Sequence, residues 1–310
     1  MEQQVWDVLI VGGGPAGYAA ALYCARAGLS ALVLESTAIG GQLSTTEEVD
    51  NYPGIAETVI GIELAGQMQQ GAARFGAETR FAQVTALELG GLLKKAKTAD
   101  STLTGRTVIY AAGAGPRTLD VPGETELRGR GVSYCAACDG AFFRGKTVAV
   151  LGGGNSAAAE ALTLARLCKR VYLLHRRDTM RVEKSYLQAL EQAPNLTFCW
   201  NARIEKILGE QMVTGILYRD LIMDQTQALS CDGVFVAIGR KPSTELLTGQ
   251  VTLDTHGYIL ADETTRTNLP GVFAAGDVRA KPLRQIVTAA ADGAVAAHFA
   301  EEYLAGLRIS

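Results

Sequence analysis

Between Val8 and Ala25 the chain runs 18 residues without a charge, close to the length of a membrane span. The middle of that run, however, holds Gly12, Gly13, Gly14, Pro15 and Gly17. The pattern reads as an apolar strand, a tight glycine turn and an alanine-rich helix, not as a continuous span. The same plan returns at 146–168, where Thr147-Val148-Ala149-Val150-Leu151 leads into Gly152-Gly153-Gly154 and a second alanine-rich stretch. Each unit then enters a further apolar strand, Ala31-Leu32-Val33-Leu34 in the first and Val171-Tyr172-Leu173-Leu174 in the second. Strand, helix and strand at this spacing predict the βαβ unit of a parallel sheet. The fold expected is α/β, with two Rossmann-like three-layer nucleotide-binding domains.

A glycine turn of this kind is chemistry as well as geometry. Gly12-x-Gly14-x-x-Gly17 lets backbone approach a pyrophosphate, and the helix that follows presents its positive end to it. One such motif is a weak signal; two copies with their strands in place are a stronger one. The copies differ at the end of the second strand, where a dinucleotide's ribose is read. Glu35 follows Gly12 by 23 positions, and His175 follows Gly152 by the same 23. A carboxylate there accepts hydrogen bonds from a ribose 2′-hydroxyl and repels a 2′-phosphate. The second copy offers His175-Arg176-Arg177 instead, and guanidinium groups grip phosphate with charge-assisted bonds. Arg181 comes within reach of the same anion if 177–181 is helical. The first site therefore suits FAD or NAD, and the second suits NADPH.

Composition narrows the remaining classes. The 310 residues carry a formal charge of −3 and an isoelectric point near 5.7, which is unlike a nucleic-acid binder's basic face. No basic leader precedes the first strand, which predicts no signal peptide and a cytoplasmic setting. Of six cysteines, Cys24, Cys168, Cys199 and Cys231 each stand alone, whereas Cys135 and Cys138 form a C-x-x-C pair followed by Asp139. A structural zinc site needs four ligands, and no second C-x-x-C exists to complete one, so no metal is expected. The pair reads as a redox dithiol whose turn at a helix start lowers one thiol pKa. The lone cysteines read as core residues, with Cys24 and Cys168 inside helices.

These motifs together resemble the low-molecular-weight bacterial thioredoxin reductases over essentially the whole chain. The resemblance is carried by "GGGPAG" at 12–17, "GGQL" at 40–43, "NYPG" at 51–54, "YAAGAGPR" at 110–117 and "CAACDG" at 135–140. It continues through "GGGNSA" at 152–157, "HRRDTMR" at 175–181, "FVAIGRKP" at 235–242 and "GVFAAGDVRAKPLRQIVTAAADG" at 271–293. It implies an FAD enzyme that carries electrons from NADPH through the Cys135–Cys138 dithiol to thioredoxin, and a homodimer. The FAD set it implies is Gly12, Gly14, Pro15, Ala16, Glu35, Gly41, Gln42, Leu43, Asn51, Ala112, Gly113, Gly276, Asp277, Arg284, Gln285 and Ile286. A helix beginning near Gln285 would aim its positive end at the flavin. The NADPH set is Gly152, Gly154, Asn155, Ser156, His175, Arg176, Arg177, Arg181, Ile238 and Gly239. Residues 1–114 with 243–310 would form the FAD domain, and 115–242 the inserted NADPH domain.

In the family's pattern Cys138 faces the flavin, Cys135 attacks the partner disulfide, and Asp139 is the proton donor. That last role needs a raised pKa. One domain would rotate against the other about hinges near 112–117 and 240–245. This chain departs from the pattern in having Ala136-Ala137 between the cysteines and Ala141 ahead of Phe142-Phe143. That region and Arg130 meet thioredoxin in relatives, so the partner stays open among thioredoxin, a glutaredoxin-like small dithiol protein and a peroxidase-linked carrier. A dithiol oxidase of the same fold is the remaining alternative.

Overall fold

The computed structural model describes residues 4–46 and 48–309; the N-terminal residues read above as lacking a basic leader lie outside this set. The chain divides into two compact units, one comprising 1–115 and 241–310 and the other 116–240.

Unit one is built on strand β1 (Val5–Val11), helix α1 (Pro15–Arg26) and strand β2 (Ala31–Glu35). Helix α2 (Gly61–Ala73) and strand β3 (Glu78–Phe81) follow, then β4 (Ala86–Glu88), β5 (Lys94–Lys97) and β6 (Thr102–Tyr110). The sheet runs β3-β2-β1-β6, all parallel. Beyond β6 the edge is shared: β5 and β4 pair antiparallel along its first half, and strand β17 (Val272–Ala274) pairs parallel along its second.

Every residue of β2 is buried, as expected of a parallel sheet covered on both faces. Val8, Ile10, Val33, Ile109 and Phe273 face α1 and the C-terminal helix α6 (Ile286–Ile309). Leu9, Val11, Leu32, Leu34 and Val108 face the layer holding Leu247 and Ile259. Alpha helices α1 and α6 lie close because Gly293 has no side chain: a Cβ there would stand 2.1 Å from the Ala16 carbonyl oxygen.

Short strands β7 (Ala114–Pro116) and β16 (Arg240–Pro242) lie where the chain crosses between units. Unit two continues with β8 (Val132–Ser133), the four-residue helix α3 (Ala136–Asp139), β9 (Thr147–Leu151) and helix α4 (Asn155–Ala165). Next come β10 (Arg170–Leu174), helix α5 (Lys184–Gln192) and β11 (Leu196–Cys199). Its parallel sheet has the order β11-β10-β9-β15-β8, where β15 is Gly233–Val236. One face packs on α3, α4 and α5 through Val148, Val150, Leu173 and Phe235. The other is covered by an antiparallel meander of β12 (Ala202–Gly209), β13 (Val213–Asp220) and β14 (Gln225–Ser230), through Ile207, Val213 and Ile216. Ends of the chain meet inside each unit: Ser243 N–H donates to the Gly113 carbonyl at 3.0 Å in unit one, and Arg117 N–H to the Gly239 carbonyl at 2.9 Å in unit two.

Two expectations are corrected here. Cys168 lies in a bend beyond the end of α4, where it packs as a buried residue, and not within a helix. The segment 175–183 is not helical either. Arg181 reaches the glycine turn another way, by a backbone bridge to Gly154 in which its N–H donates to the Gly153 carbonyl at 2.8 Å.

Candidate active site

In unit one the glycine turn joins β1 to α1, with Pro15 at the first helical position, where its missing N–H costs nothing. Gly12 has φ +106°, and a Cβ on it would stand 2.4 Å from the Ala111 carbonyl oxygen; one on Gly17 would stand 1.9 Å from the Gly12 carbonyl oxygen. These two glycines are required by the fold. Gly14 differs: the nearest atom to a Cβ there is 3.8 Å away, so the backbone faces open space at the helix end. Glu35, buried at the end of β2, accepts from Gly13 N–H at 2.7 Å and from Thr37 N–H at 2.9 Å. A carboxylate beside an uncovered helix end is the donor set expected for a ribose next to a pyrophosphate, so the residues present fit FAD's adenosine half.

Other members of the FAD set gather on this unit. The Gly40 amide donates to the Gly13 carbonyl at 2.6 Å, which ties the short helical turn Gly41–Thr45 to the glycine loop. Gln42 Nε2 donates to the Ala114 carbonyl at 2.8 Å, and Leu43 is buried. Asn51 Nδ2 reaches Gln285 Oε1 at 3.3 Å, although 234 residues separate them. Gly276 and Asp277 occupy a helical turn directly after β17, and Arg284 stacks 4.1 Å from the centre of the Tyr258 ring. Ile286 opens α6.

An ionic knot behind Gly276 and Asp277 escaped the sequence reading. Asp292 on α6 accepts from Gly276 N–H at 2.9 Å, Arg279 at 2.7 Å and Lys281 at 2.8 Å, with both cations nearly buried. A mostly covered carboxylate holding two cations and a backbone amide fixes the turn that carries Asp277. The only signal in the sequence was a single acid in the otherwise apolar first half of α6.

In unit two the turn joins β9 to α4. Gly152 has φ +159°, and a Cβ on it would meet the Ala237 carbonyl oxygen at 2.4 Å; nothing lies within 4 Å of one on Gly154. The His175 ring sits over Gly153, where a Cβ would be 2.1 Å away. Burial, and then Arg176 and Arg177, hold its pKa below the usual histidine value, so the ring is neutral at pH 7. Arg176, Arg177 and Arg181 are exposed and form no ion pair among the described residues. Asn155 and Glu183 exchange two 3.1 Å hydrogen bonds at the start of α4, beside the exposed Ser156. Ile238 is partly exposed, and Gly239, at φ +109°, follows β15. Three unpaired guanidinium groups beside an open glycine turn fit a phosphorylated ribose.

The same unit carries a disulfide between Cys135 and Cys138, with Cα atoms 5.3 Å apart. Cys135 caps α3, and its carbonyl accepts from the amides of Cys138 at 3.2 Å and Asp139 at 3.0 Å. Ser133 Oγ donates to Asp139 Oδ2 at 2.5 Å and accepts from Cys135 N–H at 3.1 Å. Upstream, buried Glu124 accepts from the amides of Leu119 and Asp120 and from the Tyr134 hydroxyl at 2.9 Å, which anchors the strand entering the dithiol. Glu160 on α4 has its pKa pushed up to about 8, chiefly by burial, with Arg240 lowering it and Asp139 raising it; its Oε2 has no hydrogen-bond partner among the described residues. Burial also pushes Cys24 and Cys231 up to about 12 and Cys168 up to about 11. Those thiols stay protonated at neutral pH and unreactive. Among the described residues, no group of three or more His, Cys, Asp or Glu is placed to hold a metal, and no helix is long and apolar enough to cross a membrane.

Residues 6–293 match the family model described as pyridine nucleotide-disulphide oxidoreductase. The chain is 48% identical over 305 residues to a thioredoxin reductase of Mycolicibacterium smegmatis, covering 98% of each. It is 46% identical to a bifunctional thioredoxin reductase/thioredoxin of Mycobacterium leprae, covering 98% of this chain and 67% of that one. The crystal structure of thioredoxin reductase from Streptococcus pyogenes superposes with a TM-score of 0.92 at 40% identity, over 97% of this chain and 99% of that one. With the two nucleotide turns, the redox disulfide and these likenesses in agreement, the chain belongs to the pyridine nucleotide-disulphide oxidoreductases and, among them, to the FAD- and NADPH-dependent thioredoxin reductases.

Proposed function

We propose that unit one holds FAD, that unit two holds NADPH, and that the Cys135–Cys138 disulfide passes two electrons to the disulfide of a thioredoxin. The observation that carries this reading is the disulfide itself, lying in the same unit as the arginine-flanked glycine turn. Glu35 takes the ribose of FAD, and Gly12, Gly14, Pro15 and Ala16 cradle its pyrophosphate, with Gly41, Gln42, Leu43, Asn51, Ala112 and Gly113 along the rest. Gly276 and Asp277 take the ribityl chain, and Arg284, Gln285 and Ile286 lie at the flavin. Gly152, Gly154, Asn155, Ser156, Ile238 and Gly239 take the NADPH backbone, and His175, Arg176, Arg177 and Arg181 its 2′-phosphate. Bound FAD supplies the two-electron link between nicotinamide and disulfide.

The protein's own part is thiol and proton chemistry. Two electrons and two protons open the Cys135–Cys138 bond to two thiols. Cys135 gives its proton to Asp139 and, as thiolate, attacks one sulfur of the partner disulfide. The other partner sulfur leaves and takes the proton from Asp139. Cys138 loses its proton to Asp139 in turn and attacks the Cys135 sulfur; the second partner sulfur leaves and takes that proton, which restores the enzyme disulfide and frees the partner dithiol. Thioredoxin as partner is supported by the relative in which a thioredoxin is fused to the reductase. A homodimer in the cytoplasm belongs to the same proposal; light scattering at micromolar concentration tests the dimer.

The decisive experiment is anaerobic stopped-flow of the yellow protein with NADPH, then with oxidised thioredoxin. Rapid bleaching followed by reoxidation supports the whole scheme. Bleaching without reoxidation moves the search to another small dithiol protein, and absence of bleaching overturns the NADPH assignment. In Cys138→Ser, bleaching by NADPH persists while thioredoxin reduction is lost; retained turnover would overturn the role of that cysteine.

A further inference from the structure

Ser133 has no part in the scheme above, yet its hydroxyl joins two of that scheme's members. It is the last residue of β8, buried, and held in register by pairing with Phe235 of β15. Its Oγ accepts the Cys135 amide at 3.1 Å and stands 2.5 Å from Asp139 Oδ2. Among the described residues the competing acceptor for its proton is the Cys135 carbonyl, at 3.5 Å and much the farther. An amide N–H can only donate, so it occupies a lone pair of Oγ and leaves the hydroxyl proton for Asp139.

We propose that Ser133 is a positioning residue for proton transfer at the dithiol: it holds the Asp139 carboxyl at a fixed offset from Cys135 and stabilises the carboxylate left after the proton departs. The inference rests on reading Asp139 as the proton carrier. Three consequences of the geometry lead to it. The strand end fixes Ser133, so the acid is referenced to the sheet and not only to the four-residue helix α3. The hydroxyl engages Oδ2, so that oxygen is held toward the strand end. A hydroxyl donating to the ionised carboxyl stabilises that form over the neutral one. Charged groups on the packed elements include Glu160 on α4, whose pKa burial pushes up to about 8, and Arg240, which acts on Glu160.

The test uses the holoenzyme, pre-reduced with one equivalent of NADPH and mixed with oxidised thioredoxin across about pH 6–9. Four variants are compared: Ser133→Ala, Ser133→Thr, Asp139→Asn and the Ser133→Ala/Asp139→Asn double. Ser133→Ala should slow reoxidation about tenfold at pH 7 and move the pH above which the rate falls upward by about one unit. That displacement should survive in a Glu160→Gln background, which removes the neighbouring titration. Ser133→Thr, keeping the hydroxyl, should restore most of the rate, and the double variant should be no slower than Asp139→Asn alone. Additive losses in the double variant, or an unmoved pH profile in Ser133→Ala, would overturn the role of Ser133 while leaving Asp139 in place. An Asp139→Asn enzyme as fast as the parent would instead remove Asp139 as the proton carrier, and Ser133 with it.

Discussion

The two glycine turns share a plan and differ in how their middle residue is occupied. In unit one the Gly13 amide is spent on Glu35, at 2.7 Å, so acid and turn form one rigid piece. In unit two the equivalent Gly153 lies under a neutral His175 ring, and the charges stand further along the chain as exposed arginines. The first arrangement presents a preorganised acceptor; the second presents exposed cations beside a flat ring. A cofactor held throughout turnover suits the first, and a coenzyme that must bind and leave each cycle suits the second. The third motif position differs as well: Gly17 is packed so tightly that only glycine fits, whereas Ala157 is accepted in unit two.

The largest effects should come from the glycines that the fold itself demands. Gly12→Ala and Gly152→Ala force a Cβ to 2.4 Å from a carbonyl oxygen at positive φ, and each should cost more than about 3 kcal/mol of stability in its own unit. Denaturant unfolding that leaves either variant within about 0.5 kcal/mol of the parent would break the structural half of the comparison.

Next comes the clamp. Replacing Arg176, Arg177 and Arg181 by Ala should raise KM for NADPH about 10²-fold while changing KM for NADH only a few-fold, because only the phosphate loses its charge-assisted bonds. Equal effects on the two coenzymes would sink the 2′-phosphate assignment.

Gly154→Ala sharpens the distinction between turn and ligand. Its Cβ meets no protein atom, so Tm should hardly move while NADPH affinity, read by equilibrium titration, falls about tenfold. Unchanged affinity would mean that the open space there is not where the pyrophosphate lies.

The smallest effect tests Glu160. Folding raises its pKa to about 8, so its contribution is full below the unfolded value near 4.5 and is lost as pH climbs toward 8. Glu160→Gln should match the parent's Tm near about pH 5 and exceed it by roughly 3 °C near pH 8.5. A difference that is the same at both pH values would show that the carboxyl is not held neutral.

What could be read from the chain was whatever repeats at a fixed interval or sits within one turn. The two βαβ units, the offset from Gly12 to Glu35 and Gly152 to His175, and the C-x-x-C pair are all local patterns. The features that escaped depend on turns of the chain that no motif or periodicity marks. Asp292 meets Arg279 and Lys281 only because the segment ahead of α6 folds back along its first turns, and Glu124 meets Tyr134 only after Gly129 and Gly131, both at positive φ, turn the chain back. The path of 177–181 stays conditional in the sequence because an arginine spacing of four also fits a helix face. The backbone takes a bridge to Gly154 instead, a pairing that no periodicity announces.

The hydrogen bonds between Ser243 and Gly113, and between Arg117 and Gly239, mean that neither compact unit has its cut ends far apart. That proximity predicts that unit two can be excised as a cassette. A gene joining Gly113 to Ser243 through a short glycine linker would encode unit one as an uninterrupted chain, and 116–240 could be expressed alone. Each half could then be titrated with its own nucleotide, free of the other.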